Sequence, residues 1–267
     1  MTVITNALDK MRSGLVTEAA AARIASAKAD LLSLHRSLDA ALVAARSYTD
    51  PDLNANGLQA RREQLAEAAR KAAAPALEQL RAQVTSAAET LATQATAGLP
   101  KFGADAAAIA RSQHKWDQVR MRLDAGMPMR DVLANADVET ALAIQEWGPA
   151  YAEAKAYRPP TLGESMGDQK APDHGPLMHS VDTRLAQLTG PDAVAALAAS
   201  HNAVGVAAYF GPQMKHMDAV IAGINSGSTE LSVSVESHYA EQEARAGLGL
   251  PEQAPAADAP ATESGAA

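Results

Sequence analysis

The string in this chain that most resembles reactive chemistry is Gly163-Glu164-Ser165-Met166-Gly167, a match to the G-x-S-x-G pattern of a nucleophile elbow. In such an elbow a strand delivers the serine and a helix receives it, so that a strained turn holds the hydroxyl out toward a base. Asp182 and His201 follow in the chain order of a hydrolase triad. The flanks do not build the elbow, however. Pro159-Pro160-Thr161-Leu162 precedes it, Asp168 to Pro176 follows it, and no succession of strands offers a parallel sheet to carry it. A serine hydrolase using Ser165 is therefore the least favoured function, and no catalytic residue is assigned.

Two further patterns fall short of a site. His174, His179 and Asp182 are the densest set of potential metal ligands, and the i, i+3 spacing of His179 and Asp182 suits one helix face. Two helical ligands and one loop histidine do not make a coordination shell, and His216-Met217-Asp218 does no better. Gly163, Gly167 and Lys170 miss the spacing of a phosphate loop, and neither a dinucleotide fingerprint nor H-E-x-x-H occurs. No metal and no cofactor is expected.

A locally basic stretch, Arg111, His114, Lys115, Arg120, Arg122 and Arg130 with Trp116 interleaved, has the residue types that dock acidic partners or a nucleic-acid backbone. Asp117, Asp124 and Asp131 dilute it. Of these, Arg111, Lys115, Trp116 and Arg120 are carried forward as candidate partner-binding residues. The alternative function that goes with them is a cellular nucleic-acid or chromosome-associated helical protein.

Charge placement argues against that alternative. Residues 1–95 hold 11 Lys+Arg and 10 Asp+Glu, residues 96–224 hold 11 and 14, and residues 225–267 hold 1 and 7. Acidity thus collects toward the C-terminus, whereas phosphate neutralisation needs a surplus of Lys and Arg on one face. Cysteine is absent, which removes disulfides, thiolate chemistry and Cys-ligated zinc. The N-terminal residues lack the basic and apolar regions of a signal peptide, and no run of about 18 apolar residues appears. These features lead to an expectation of a cytoplasmic location and no membrane partner.

The elements that would position any site are helical. Apolar residues make up 47% of the chain but aromatics only 3%, and alanine supplies half of the apolar share. Alanine favours helix and buries little surface, which suits helices packed at close range. Ile4, Leu8, Met11 and Leu15, then Leu31, Leu34, Leu38 and Leu42, recur at helical spacing. No proline interrupts residues 2–47, which predicts a rod of roughly 65–70 Å. Tyr48 to Gly57 is dense in turn-forming residues.

A second run carries Leu58, Leu65, Ala69, Ala72, Leu77, Leu80, Val84 and Leu91, with Pro75 inside it predicting a kink or a shift of stripe. Two such helices joined by a short turn are expected to lie antiparallel over residues 1–98. Their stripes, Leu31, Leu34, Leu38, Leu42, Leu77, Leu80, Val84 and Leu91, serve as an intramolecular seam. A hairpin of two helices cannot cover both stripes, so the same residues are candidate partner-binding positions and imply a homo-oligomer.

Residues 99–156 read as a small bundle of three helices. Pro128 suits a first helical position, and Asn135 or Asp137 suits a cap. Trp116, Val119, Met121, Leu123, Met129, Val132, Leu133, Leu142, Ile144 and Trp147 are its expected core. Residues 157–176 hold four prolines and three glycines and read as a linker or functional arm. Residues 177–250 read as a second helical region, carried by Leu177, Val181, Leu185 and Leu188. The stripe stops at Gly190-Pro191, resumes through Val194, Leu197 and Val204, and is broken again at Gly211-Pro212 before Met214, Met217, Ile221 and Ile224. Leu231, Val235 and Tyr239 fit a helical face better than a lone strand. Residues 251–267 read as a disordered acidic tail.

The stretch from Asp50-Pro51-Asp52-Leu53-Asn54 through Gly57-Leu58 and Arg61-Arg62-Glu63-Gln64-Leu65 into an Ala-rich helix resembles helical proteins of actinobacterial tailed phages and prophages. Arg122-Leu123-Asp124-Ala125-Gly126-Met127-Pro128 and Trp147-Gly148-Pro149-Ala150-Tyr151 extend the likeness, which covers about residues 1–156. The resemblance implies a head-morphogenesis or minor virion protein, scaffolding-type proteins included. Such a protein has a structural role without catalysis, capsid or portal proteins as partners, and a place in the host cytoplasm during assembly or in the virion. Scaffolding proteins of this kind end in a basic helical segment, whereas this chain ends acidic, so a minor capsid component fits the resemblance equally well. An all-α, non-enzymatic phage structural or assembly protein is the leading expectation.

Overall fold

The computed structural model describes residues 2–103, 105–156, 173–224, 230–248 and 250; the side chains of residues 2–13 and of Glu230 lie outside that description. Among the described residues the protein is all-α, with eight helices and no strand. The G-x-S-x-G pattern with Ser165, Lys170, nearly all of the Pro/Gly-rich segment and the acidic tail lie outside the described residues.

Helix α1 (Thr2–Ser47) runs unbroken, as expected of a long Ala-rich stretch without proline. Tyr48 to Asn54 turns the chain, and Asn54 caps α2 (Ala55–Ala97) by accepting a hydrogen bond from the Gly57 amide at 2.8 Å. Arg62 Nε donates to the Tyr48 carbonyl at 2.9 Å and ties the corner down. Arg46 lies across from Gln59, Arg62 and Arg70, while Arg23 and Asp30 lie beside Ala76, Gln79 and Gln83, so α2 runs back along α1.

The seam between them has heptad form. Ala20, Ile24, Ala27, Leu31, Leu38, Leu42 and Ala45 are buried on α1, and Ala73, Leu77, Leu80, Val84, Ala87, Leu91 and Ala95 on α2. Steps of three, four and seven residues keep the two stripes facing inward from Ala20 to Ala45 on α1 and from Ala73 to Ala95 on α2. Pro75 sits on the exposed face of an undivided α2. The hydrogen bond it removes therefore faces water, which can take the freed carbonyl.

Helices α3 (Ala106–Asp124), α4 (Met129–Ala134) and α5 (Val138–Ala156) follow. Asp105 caps α3 by accepting from the Ala108 amide, and Asp137 caps α5 by accepting from the Thr140 amide at 2.7 Å. Helices α6 (Gly175–Thr189) and α7 (Pro191–Ile221) meet at a sharp corner where Gly190 takes φ +136°, a value that disfavours any side chain, with Pro191 opening α7. Helix α8 (Glu230–Gly247) completes the set.

The helices form two cores and a junction. In the first, Ala203, Val206, Phe210, Met214 and Met217 of α7 pack on the α1–α2 seam. Helix α8 lies on α7. In the second, Trp116, Val119, Val132, Leu133, Ala141 and Ile144 enclose Val181 and Leu185 of α6. The small side chains Ala95, Ala186 and Ala193, with Leu197, join the two. The cores thus cut across the stretch 177–250, because α6 closes the α3–α5 bundle while α7 covers the paired rods.

Three expectations are corrected. Gly211-Pro212 does not break α7, since Phe210 on one side and Met214 and Met217 on the other are held in the same core and keep the helix in line. Met121 is 63% exposed, so it is no core residue of the bundle. On α7 the buried stripe runs through Ala193, Leu197, Ala203 and Val206, and Val194 and Val204 face outward. By length and composition alone α7 could cross a membrane; here it is packed between α2 and α8.

Candidate functional site

The paired-rod stripe named from sequence is buried inside the molecule. Leu31, Leu38, Leu42, Leu77, Leu80, Val84 and Leu91 are core residues and Leu34 packs against them, so in this conformation none of the eight offers a docking surface. What covers them, beyond the facing rod, is α7 of the same chain. That correction follows from Phe210, Met214 and Met217, whose bulk fills the groove a second copy would otherwise fill.

The basic stretch is dispersed as well. Lys115 reaches Asp137 at 2.9 Å and Glu139 at 3.9 Å, and this hydrogen-bonded pairing raises the Lys115 pKa and holds the Asp137 carboxyl down at about 2. Arg120 pairs with Asp117 one turn away. Trp116 is buried, edge-on to Tyr151 at 5.6 Å. Of the four basic-stretch candidates only Arg111 is exposed with no ion pair among the described residues, so the stretch does not present a continuous cationic face.

His174 and His179 do not converge. His174 Nε2 lies 3.0 Å from Glu153, while Asp182 turns to Gln145, whose Nε2 donates to it at 3.3 Å; burial raises the Asp182 pKa. Among the described residues no three His, Asp or Glu side chains gather as metal ligands.

His179 instead meets His201 of α7, Nδ1 to Nε2 at 3.2 Å, with ring centroids 4.3 Å apart. The two residues are equally far from Gly190 in sequence, on either side, so folding at that corner brings them face to face. The signal was present in the sequence but only as a distance from a turn, not as a motif. Burial, with the neighbouring His179 ring, pushes His201 down to about 4, and burial lowers His179 too. Both rings are therefore neutral near pH 7, one donating to the other.

The pair opens on a cleft of about 360 Å³ between α6, α7 and the end of α8. His179, Thr183, His201, Asn202 and Arg245 supply its polar wall; Ala186, Val194, Leu197, Ala198 and Leu250 supply an apolar one. The start of α6 meets the end of α8 closely at Gly175, where a Cβ would stand 2.8 Å from the Gly247 carbonyl, and Gly205 of α7 faces the aliphatic stem of Arg245.

A second polar junction lies one turn along α8. Glu241 is buried against α7 and accepts from Lys28 Nζ of α1 at 2.6 and 2.7 Å through its two oxygens. Lys28 also lies 4.5 Å from the Tyr209 ring centre, and burial together with Glu241 raises the Tyr209 pKa. This junction locks α1, α7 and α8 in one register.

The outer face of α8 carries an apolar stripe among polar residues. Val233, Ser237 and Glu241 face α7, which leaves Leu231, Val235 and Tyr239 to solvent, with Leu231 74% and Tyr239 65% exposed. The helical face read from sequence is real, but it is the outer one. Comparison with protein-family models, characterised proteins and solved structures finds no match to this chain.

Proposed function

We propose that this protein is a non-enzymatic structural or assembly component that works by docking helices onto other proteins. The observation that carries this reading is the α8 outer face, where Leu231, Val235 and Tyr239 repeat at i, i+4, i+8 and stay in water while Val233, Ser237 and Glu241 take the inner face. Large apolar side chains aligned on one helix face in solvent mark a protein contact. The long α1–α2 pair, covered by α7, gives the α7–α8 layer that carries this face a stiff support.

The sequence resemblance to phage head-morphogenesis and minor virion proteins gives this reading its setting. It makes capsid or portal proteins the partners, homo-oligomerisation the mode, and the host cytoplasm during assembly, or the virion, the place. The test is sedimentation of the full chain, alone and with purified capsid and portal proteins of the same phage. Leu231→Ser with Tyr239→Ser, both at exposed positions, is expected to abolish the heavier species without lowering the melting temperature. A compact monomer that binds neither protein, at any concentration, overturns the proposal.

A further inference from the structure

We infer that the cleft between α6, α7 and the end of α8 is a binding site for a small carboxylic acid with an apolar body. The decisive residue is Arg245. Its Nε is buried and has no hydrogen-bond partner among the described residues, and no carboxylate there pairs with it. Glu241, one turn back on α8, is spent on Lys28, and Asp182, one turn from His179, is turned to Gln145. Arg245 as a whole stays partly exposed at the cleft, so the uncompensated burial falls on that one nitrogen, and the planar fork of arginine is matched by a carboxylate.

The rest of the cleft fits that ligand in two parts. Asn202 and the His179–His201 pair line the wall beside Arg245 and supply neutral donors. Val194, Leu197, Ala198 and Leu250 form an apolar wall for a short carbon chain or ring. A volume of about 360 Å³ is in the range of small-molecule sites, and the lining offers both polar groups and an apolar wall. The arginine also disfavours a cation between the two imidazoles, which leaves an anion as the occupant the charges select.

The cleft is independent of the α8 outer face, so the two readings fail separately. Titration calorimetry of the full chain with hexanoate, acetate and hexanol separates head from body. Hexanoate is expected to bind at least about tenfold more tightly than acetate, which lacks the body, and than hexanol, which lacks the charge. It should also shift the ring proton resonances of His179 and His201. Arg245→Met keeps the aliphatic stem against Gly205 and should reduce hexanoate to the affinity of hexanol, while Arg245→Lys retains part of the difference. Equal affinity for hexanoate and hexanol, unchanged hexanoate binding by a folded Arg245→Met protein, or no heat and no histidine shift with hexanoate overturns the inference.

Discussion

The paired rods with α7 and the α3–α6 bundle solve the same packing problem with opposite materials. Along the rods, alanines are interspersed with runs of leucine, isoleucine and valine over many turns, so the helices approach closely at each alanine. In the bundle a few bulky groups do most of the filling: Trp116 stacks edge-on to Tyr151, and Trp147 donates to Ser112 Oγ at 3.1 Å. Polar ties then fix its helix ends, with Arg184 donating twice to the Ala136 carbonyl at 3.0 and 2.8 Å. One region is held by repetition and the other by a handful of anchors, so they should answer differently to point changes.

The largest expected effect is in the bundle. Trp116→Ala removes an anchor that nothing else can replace and should cost about 3–5 kcal/mol in urea denaturation. Hydrogen exchange should speed in α3–α6 and stay slow in the middle of α1 and α2; equal acceleration in both would merge the two regions. In the rods the sensitive change is the reverse one. Ala27 is fully buried where α1 approaches its neighbours, so Ala27→Leu overpacks the seam and should cost about 2 kcal/mol. A neutral result would mean that the rods are not closely packed there.

Lys28→Ala leaves Glu241 buried without its partner. Because Lys28 itself is 39% exposed, the loss should be nearer about 1.5 kcal/mol than the value for a fully buried pair. Adding Glu241→Gln should restore part of it, and no recovery would show that Tyr209 or packing, not charge, holds that corner.

The smallest effect is a pH slope at the junction between the regions. His201 titrates at about 4 in the folded protein and near 6.5 unfolded, so the unfolded chain binds more protons between those values. Stability should therefore fall as pH drops from 6.5 toward 4. The loss should be on the order of 1 kcal/mol, after discounting for the half-exposed ring. His201→Gln should flatten that part of the profile, and an unchanged slope would remove the histidine pair as its source.

Much of the fold was legible before any coordinates. The proline-free stretch to residue 47, the turn residues that start at Tyr48, and Leu77, Leu80, Val84 and Leu91 at steps of three, four and seven read as helix, turn and helix face, although the turn ends at Asn54 and Ala55–Gly57 already belong to α2. Pro212 misled because a proline inside a helix is judged locally, whereas here the side chains around it are fastened to another helix. The candidate cleft was not legible. His179, His201 and Arg245 come from three helices; the two histidines share only their distance from the Gly190 corner, and nothing in the spacing links Arg245 to them.

By itself the sequence determined which stretches are helical, where they are capped and which side of each is apolar, because those properties depend on neighbours within a turn or two. Only the tertiary structure decided what covers each apolar side: α7 on the rods, α6 in the bundle, water on Leu231 and Tyr239. A helix face specifies that it must be buried, not by what. That choice rests on shape and volume matched between segments far apart in the chain, and local periodicity carries no record of it.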